Sequence, residues 1–128
     1  MPTLTKNAIN IILVIVMAVF VFHIGILLKY IPYNIAWGGR LKNDNEMYMF
    51  ESLSIIINLV LMLVLLMKAN KMKRLLSERI INIILWLFFG LFTLNTIGNL
   101  MAETNFEKSF AVLTAVLATL ILLVLRKK

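Results

Sequence analysis

The side chains that could do chemistry in this chain are a few polar residues set within long apolar stretches. Along one stretch Glu51, Ser54 and Asn58 recur at steps of three and four residues, a spacing that places side chains on one face of a helix. An ionisable or amide side chain is costly in hydrocarbon unless it faces the interior of a bundle. We therefore expect this face to turn toward neighbouring helices and to present Glu51 as a charged anchor.

Further polar residues are expected at a depth comparable to that of this carboxylate. Asn95, Asn99 and Glu103 follow one another at steps of four on a later stretch, and His23 lies near the end of the first. Together they predict an outward-facing polar pocket for a small ligand, an ion or a lipid headgroup, with His23 titratable, the two asparagines as lining and Arg40 as a counter-ion or gate. The candidate ligand-binding residues are His23, Arg40, Glu51, Asn95, Asn99 and Glu103.

A purely structural role is the alternative for these residues. Asparagine and threonine often join membrane helices by hydrogen bonds worth ~0.6 kcal/mol each, and this is the role we expect for Asn58, Asn82, Thr93 and Thr96. A protein with only such contacts would be an accessory or scaffold subunit of a larger membrane complex. A small proton-coupled transporter, in which His23 or Glu51 takes up a proton, is the third hypothesis.

Several kinds of chemistry are excluded or disfavoured by what the chain lacks. It has no cysteine, which excludes disulfides, thiol catalysis and thiolate metal sites. The spacings typical of metalloproteases, serine hydrolases and phosphate-binding loops are also absent. His23, Glu51 and Glu103 offer one nitrogen and two oxygens but no metal-site spacing. We therefore predict a non-enzymatic protein with no metal site and no cofactor.

Four apolar stretches must position these side chains. Each is close to the ~20 residues that cross a bilayer as a helix, and they cover residues 8–28, 47–67, 80–101 and 109–125. With 62% hydrophobic residues and a mean hydropathy of +0.96, a chain of 128 residues could not bury so much apolar surface in water. The sequence predicts one all-α domain, residues 1–128, an integral membrane bundle of four antiparallel transmembrane helices. The first stretch is too long for a signal-peptide core and is expected to be a retained helix.

Charge placement predicts the orientation of these spans. Nine of the thirteen basic residues flank them on the side of the two termini and the Lys68–Arg79 loop, and five of the six acidic residues lie on the other. Since cytoplasmic loops carry the excess of lysine and arginine, we expect both termini in the cytoplasm, in a bacterial inner membrane. The net charge of +7 then indicates anionic lipid as the partner, and no nucleic-acid partner is predicted.

The first outer loop, Lys29 to Glu46, is rich in aromatic residues. Tyr30, Tyr33 and Trp37 are the amphipathic aromatics that favour the headgroup zone, and we interpret them as interfacial residues. Pro32 is expected to end the first helix near Tyr30. Near the loop's end, Asn43 followed three residues later by Glu46 predicts an N-cap and the start of the second helix.

Two further features each allow two interpretations. Ala111, Ala115 and Ala118 form a small-residue stripe that lets helices approach closely. It is expected to contact a helix of the same chain, with a second copy, and thus a homo-oligomer, as the alternative. The basic Lys68–Arg79 loop contains Leu75 among its cations; it is expected to set topology, with binding along anionic lipid as the alternative.

In length and number of spans the chain resembles the small multidrug resistance exporters. Those transporters carry an essential glutamate in their first span, whereas residues 8–28 contain no acid and offer only His23. The resemblance covers hydropathy and no motif, so it implies no site residue. The four-span quinone-linked thiol oxidoreductases are excluded because the chain has no cysteine.

Overall fold

Four helices make up nearly all of the structure. The computed structural model of the protein describes residues 3–33, 42–101 and 105–126, apart from the side chain of Phe106. Within these ranges the chain is helical with no strand, as the apolar stretches predict. The helices are α1 (Thr3–Leu27), α2 (Asp44–Lys68), α3 (Glu78–Leu100) and α4 (Asn105–Arg126).

The end of α1 is a tight reversal of the backbone. Lys29 has a positive φ of 66°, and the N–H groups of Tyr30 and Ile31 both donate to the carbonyl of Gly25, which satisfies a terminal carbonyl of the helix. A Cβ on Gly25 would lie 2.8 Å from Cδ1 of Ile31. Glycine therefore lets the chain fold back over the last turn, and Pro32 follows where the helix has already ended.

The start of α2 confirms the predicted cap. The side chain of Asn43 accepts a hydrogen bond from the N–H of Glu46 at 2.9 Å, and the Glu46 carboxylate accepts one from the N–H of Lys42. At the other end of α2, Asn70 has a φ of 59°, a conformation that asparagine tolerates better than most residues. Ser77 then caps α3 by accepting from the N–H of Ile80.

The helices form a ring in which α1 contacts α2, α2 contacts α3, α3 contacts α4, and α4 contacts α1. The α3–α4 contact is the most extensive and the α2–α3 contact the least. Neighbours are antiparallel, since Asn10 near the start of α1 bonds Lys71 just after α2. A continuous core of isoleucine, leucine, valine, methionine and phenylalanine fills the centre, including Ile12, Leu65 and Leu85.

All four helices are long and apolar enough to cross a membrane, at roughly 33–38 Å each. Their outward faces remain apolar, with residues such as Val14, Leu87 and Val112 largely exposed. Exposed apolar surface on this scale needs a lipid environment. By composition, then, the chain is a membrane protein. The end of the bundle where α1 and α3 finish is called the His23 end. The opposite end, where α1 begins, α4 finishes and the α2–α3 turn lies, is called the Lys68 end.

Candidate functional site

The structure brings two of the predicted site residues into direct contact. Nδ1 of His23 in α1 lies 2.5 Å from Oε2 of Glu51 in α2. His23 is one turn from the end of α1, and Glu51 is two turns inside α2, so both are at the His23 end. The geometry fits an imidazole N–H that donates to the carboxylate, a charge-assisted hydrogen bond.

Burial makes this pair unusual. Glu51 is fully buried (0% exposed), whereas the side chain of His23 retains 17% of its accessible surface. Withdrawing a carboxylate from water costs several kcal/mol, so it persists only with polar partners. The pair therefore joins α1 to α2, and its imidazole remains partly accessible from outside.

Aromatic rings extend the site toward α4. Phe22 meets the His23 ring edge-on at 5.7 Å between centroids, and it packs against Phe110 of α4 at 5.3 Å. Such tilted contacts suit the ring quadrupoles. These rings place apolar surface beside the imidazole.

A shallow groove lies at the surface of the same end. It encloses about 310 Å³ and is lined by Lys29, Ile31, Pro32 and Tyr33. Ile31 and Tyr33 also pack against a small core centred on Ile26 and Met47. Ile26 is three residues from His23 and Met47 four residues from Glu51, so one helical turn separates this small core from the buried pair.

A surface ion pair borders the groove. Nζ of Lys29 donates to Asp44 and lies 5.8 Å from the centre of the Tyr48 ring. The hydrogen bond to Asp44, followed by the charge of that carboxylate, raises the pKa of Lys29 above its ordinary value of 10.5. Both partners are about half exposed, so the pair marks the mouth of the groove and adds little stability.

The other predicted pocket residues are placed differently. Asn95 is exposed and Asn99 half-buried on α3, and neither side chain makes a hydrogen bond within the described ranges. Arg40, Glu103 and the interfacial Trp37 lie outside the described residues. Of the two interfacial tyrosines, Tyr30 is exposed, whereas Tyr33 is half-buried against the small core.

Two buried charged residues were not singled out from the sequence. Glu107, in the first turn of α4, is only 3% exposed, and it lies one turn before Phe110. Lys68 is 8% exposed at the opposite end; its Nζ donates to Glu78 at 2.5 Å and to Asn82 at 2.8 Å. Both lie near a helix terminus, where charged side chains are normally solvated, so their burial was not expected from the sequence.

Polar contacts elsewhere join helices or serve their own helix. The hydroxyls of Thr96 and Thr114 lie 2.8 Å apart and join α3 to α4, while Ala111 and Ala118 are buried. The small-residue stripe thus contacts a helix of the same chain, as expected. The side chains of Asn58 and Thr93 instead donate to carbonyls of their own helices, those of Ser54 and Phe89.

Neither metal clusters nor relatives add to this site. Within the described ranges, no three histidine, aspartate or glutamate side chains lie close enough to share a metal ion. Comparisons with protein-family models, curated proteins and solved structures give no match to this chain.

Proposed function

We propose that the protein is a non-enzymatic membrane protein that binds a small cationic ligand at the His23 end. One observation carries the proposal: a fully buried carboxylate, Glu51, bonded to a partly exposed imidazole, His23. The Glu51 carboxylate is an anionic group that the fold holds away from water. Such a site attracts a small ammonium ion more strongly than a carboxylate in water does.

The groove supports the same proposal because it lies at the same end of the bundle as the pair. At about 310 Å³ it is at the lower end of the volumes that hold small ligands. Its walls are apolar apart from Lys29 and the Tyr33 hydroxyl. An ammonium ion with short alkyl groups would contact Ile31 and Tyr33, with the aromatic ring contributing cation–π attraction, at the same end of the bundle as His23 and Glu51.

The test is binding of ethylammonium and tetramethylammonium to purified protein, measured by calorimetry and by the rise in Tm. Glu51→Gln removes the charge and should weaken binding at least ~10-fold, the usual cost of one lost charge-assisted contact. Glu46→Gln is the matched control, because it removes a charge at the same end while keeping an acceptor for the Lys42 N–H. Unchanged binding and unchanged Tm in Glu51→Gln would remove the proposed site.

A second function, as an accessory subunit of a membrane complex, is favoured by Asn95. Its amide is exposed on α3, where a neighbouring membrane protein could bond it, since lipid tails offer no hydrogen bonds. This proposal expects Asn95→Leu to abolish co-purification with a partner and to leave ammonium binding unchanged. Retained co-purification would count against it.

We further propose that both termini face the cytoplasm, in a bacterial inner membrane. The support for the orientation is the charge difference between the two ends of the bundle, read through the positive-inside rule. In this orientation the groove and the His23–Glu51 pair open away from the cytoplasm.

A further inference from the structure

The Lys68 end carries a large excess of positive charge. Its only carboxylate in the described ranges, Glu78, already bonds both Lys68 and Arg74, at 2.5 Å and 2.8 Å. The described part of this end thus has seven cationic side chains and one carboxylate, which is already paired. These cations are Lys6, Lys68, Lys71, Lys73, Arg74, Arg79 and Arg126.

The α2–α3 turn holds part of this charge in a fixed shape. Met72 and Leu76 pack against the main core, and the N–H of Leu75 donates to Sδ of Met67 at 3.3 Å. Lys71 is tied to Asn10 of α1. With these contacts on both sides of it, the side chain of Leu75 is held outward and is 70% exposed.

Two exposed cations accompany this leucine. Lys73 and Arg79 are exposed, and neither makes an ion pair or hydrogen bond within the described part of the chain. An outward leucine between two unpaired cations combines an apolar group with positive charge. This combination matches the boundary of an anionic bilayer, where acyl chains meet phosphate groups.

We propose that Lys73, Leu75 and Arg79 form a basic surface that binds the headgroup of an anionic phospholipid. The lipid phosphate accepts hydrogen bonds from the Lys73 ammonium and the Arg79 guanidinium, and the planar guanidinium suits bidentate contact with phosphate. Leu75 inserts among the adjacent acyl carbons. This site is at the opposite end from the proposed ligand site and does not depend on it.

The experiment titrates purified protein in detergent with short-chain phosphatidylglycerol or phosphatidylcholine and follows binding by thermophoresis. Wild-type protein should bind phosphatidylglycerol more tightly than phosphatidylcholine. Lys73→Gln with Arg79→Gln should weaken phosphatidylglycerol binding about 30-fold, from the typical contribution of two cations near an anionic lipid. Leu75→Ser should weaken binding of both lipids.

The control is Lys42→Gln with Lys108→Gln, which removes the same charge from exposed positions at the His23 end. It should bind phosphatidylglycerol as the wild type does. Three results would each overturn the proposal: no preference between the two lipids, unchanged binding in the Lys73 and Arg79 double variant, or an equal loss in the control. The last would show attraction to net charge alone.

Discussion

The two ends of the bundle bury charges of opposite sign in opposite ways. At the His23 end the carboxylate of Glu51 is fully buried and its partner His23 is 17% exposed. At the Lys68 end a lysine is buried, but its partner Glu78 is about half exposed and shared with Arg74. Charged side chains at the Lys68 end can therefore be solvated by water and headgroups, whereas the His23–Glu51 pair depends on protein groups for its polar contacts. This difference supports the two proposals, lipid binding at the Lys68 end and ligand binding at the His23 end.

The largest expected effect comes from breaking the buried pair. His23→Ala removes a hydrogen bond from a fully buried carboxylate and should lower the free energy of unfolding by about 3 kcal/mol. Thermal or denaturant unfolding in one fixed detergent measures this.

The control for that change is the double variant His23→Leu with Glu51→Leu. It replaces the pair with apolar side chains and should recover most of the lost stability, because no buried charge is left unpaired. If the double variant is as unstable as His23→Ala, packing rather than charge explains the contact.

Breaking the ion pair at the other end should cost less. Lys68→Met removes the hydrogen bonds to Glu78 and Asn82, yet Glu78 keeps Arg74 and water as partners. We expect a loss of about 1 kcal/mol, measured in the same unfolding assay. Lys73→Met, at an exposed cation of the same turn, should change stability little. A loss in Lys68→Met equal to that in His23→Ala would contradict the difference between the ends.

The hydrogen bond between Thr96 and Thr114 is neutral and lies between the two ends, so it is a reference for these effects on stability. Thr96→Val removes the hydroxyl that meets Thr114 and should cost about 0.6 kcal/mol. Thr93→Val is its matched control, since the Thr93 hydroxyl donates only to the Phe89 carbonyl of its own helix. Equal losses in the two variants would argue against an interhelical contribution.

The smallest effect is pH-dependent and belongs to the Lys29–Asp44 pair. The pKa of Lys29 is raised in the folded protein, so the folded state holds the proton of this ammonium group more tightly than the unfolded chain does. The stability that the Lys29–Asp44 pair contributes is therefore complete below the ordinary lysine pKa of 10.5. It is lost as pH rises through the higher pKa of Lys29 in the folded state. Lys29→Gln should flatten the fall of Tm above pH 10.5, and Lys108→Gln should not. Identical curves for wild type and Lys29→Gln would remove the contribution.

The sequence predicted the helices well because hydropathy and capping are local. The four apolar stretches became four helices, and Asn43 caps α2 as expected. All four helices begin before the predicted spans: α1 starts at Thr3, α2 at Asp44, α3 at Glu78 and α4 at Asn105. Polar residues there continue the backbone hydrogen bonds of the helix without adding apolar character.

The candidate site could be predicted only in part. Steps of four align Asn95 with Asn99 along α3, but spacing within one helix does not say which neighbour that face meets. In the structure α3 buries Phe88 and Phe92 and packs most extensively on α4. Asn95 is left exposed, whereas His23 and Glu51 meet because α1 and α2 are adjacent and antiparallel.

The proposed orientation is tested most directly by the accessibility of single cysteines, since the chain has none of its own. Lys73→Cys, Arg126→Cys, Lys42→Cys and Lys108→Cys would each be treated with a membrane-impermeant maleimide in inverted and right-side-out vesicles. With both termini in the cytoplasm, positions 73 and 126 should be labelled only in inverted vesicles and positions 42 and 108 only in right-side-out vesicles. Labelling of positions 73 and 42 from the same face would contradict this orientation.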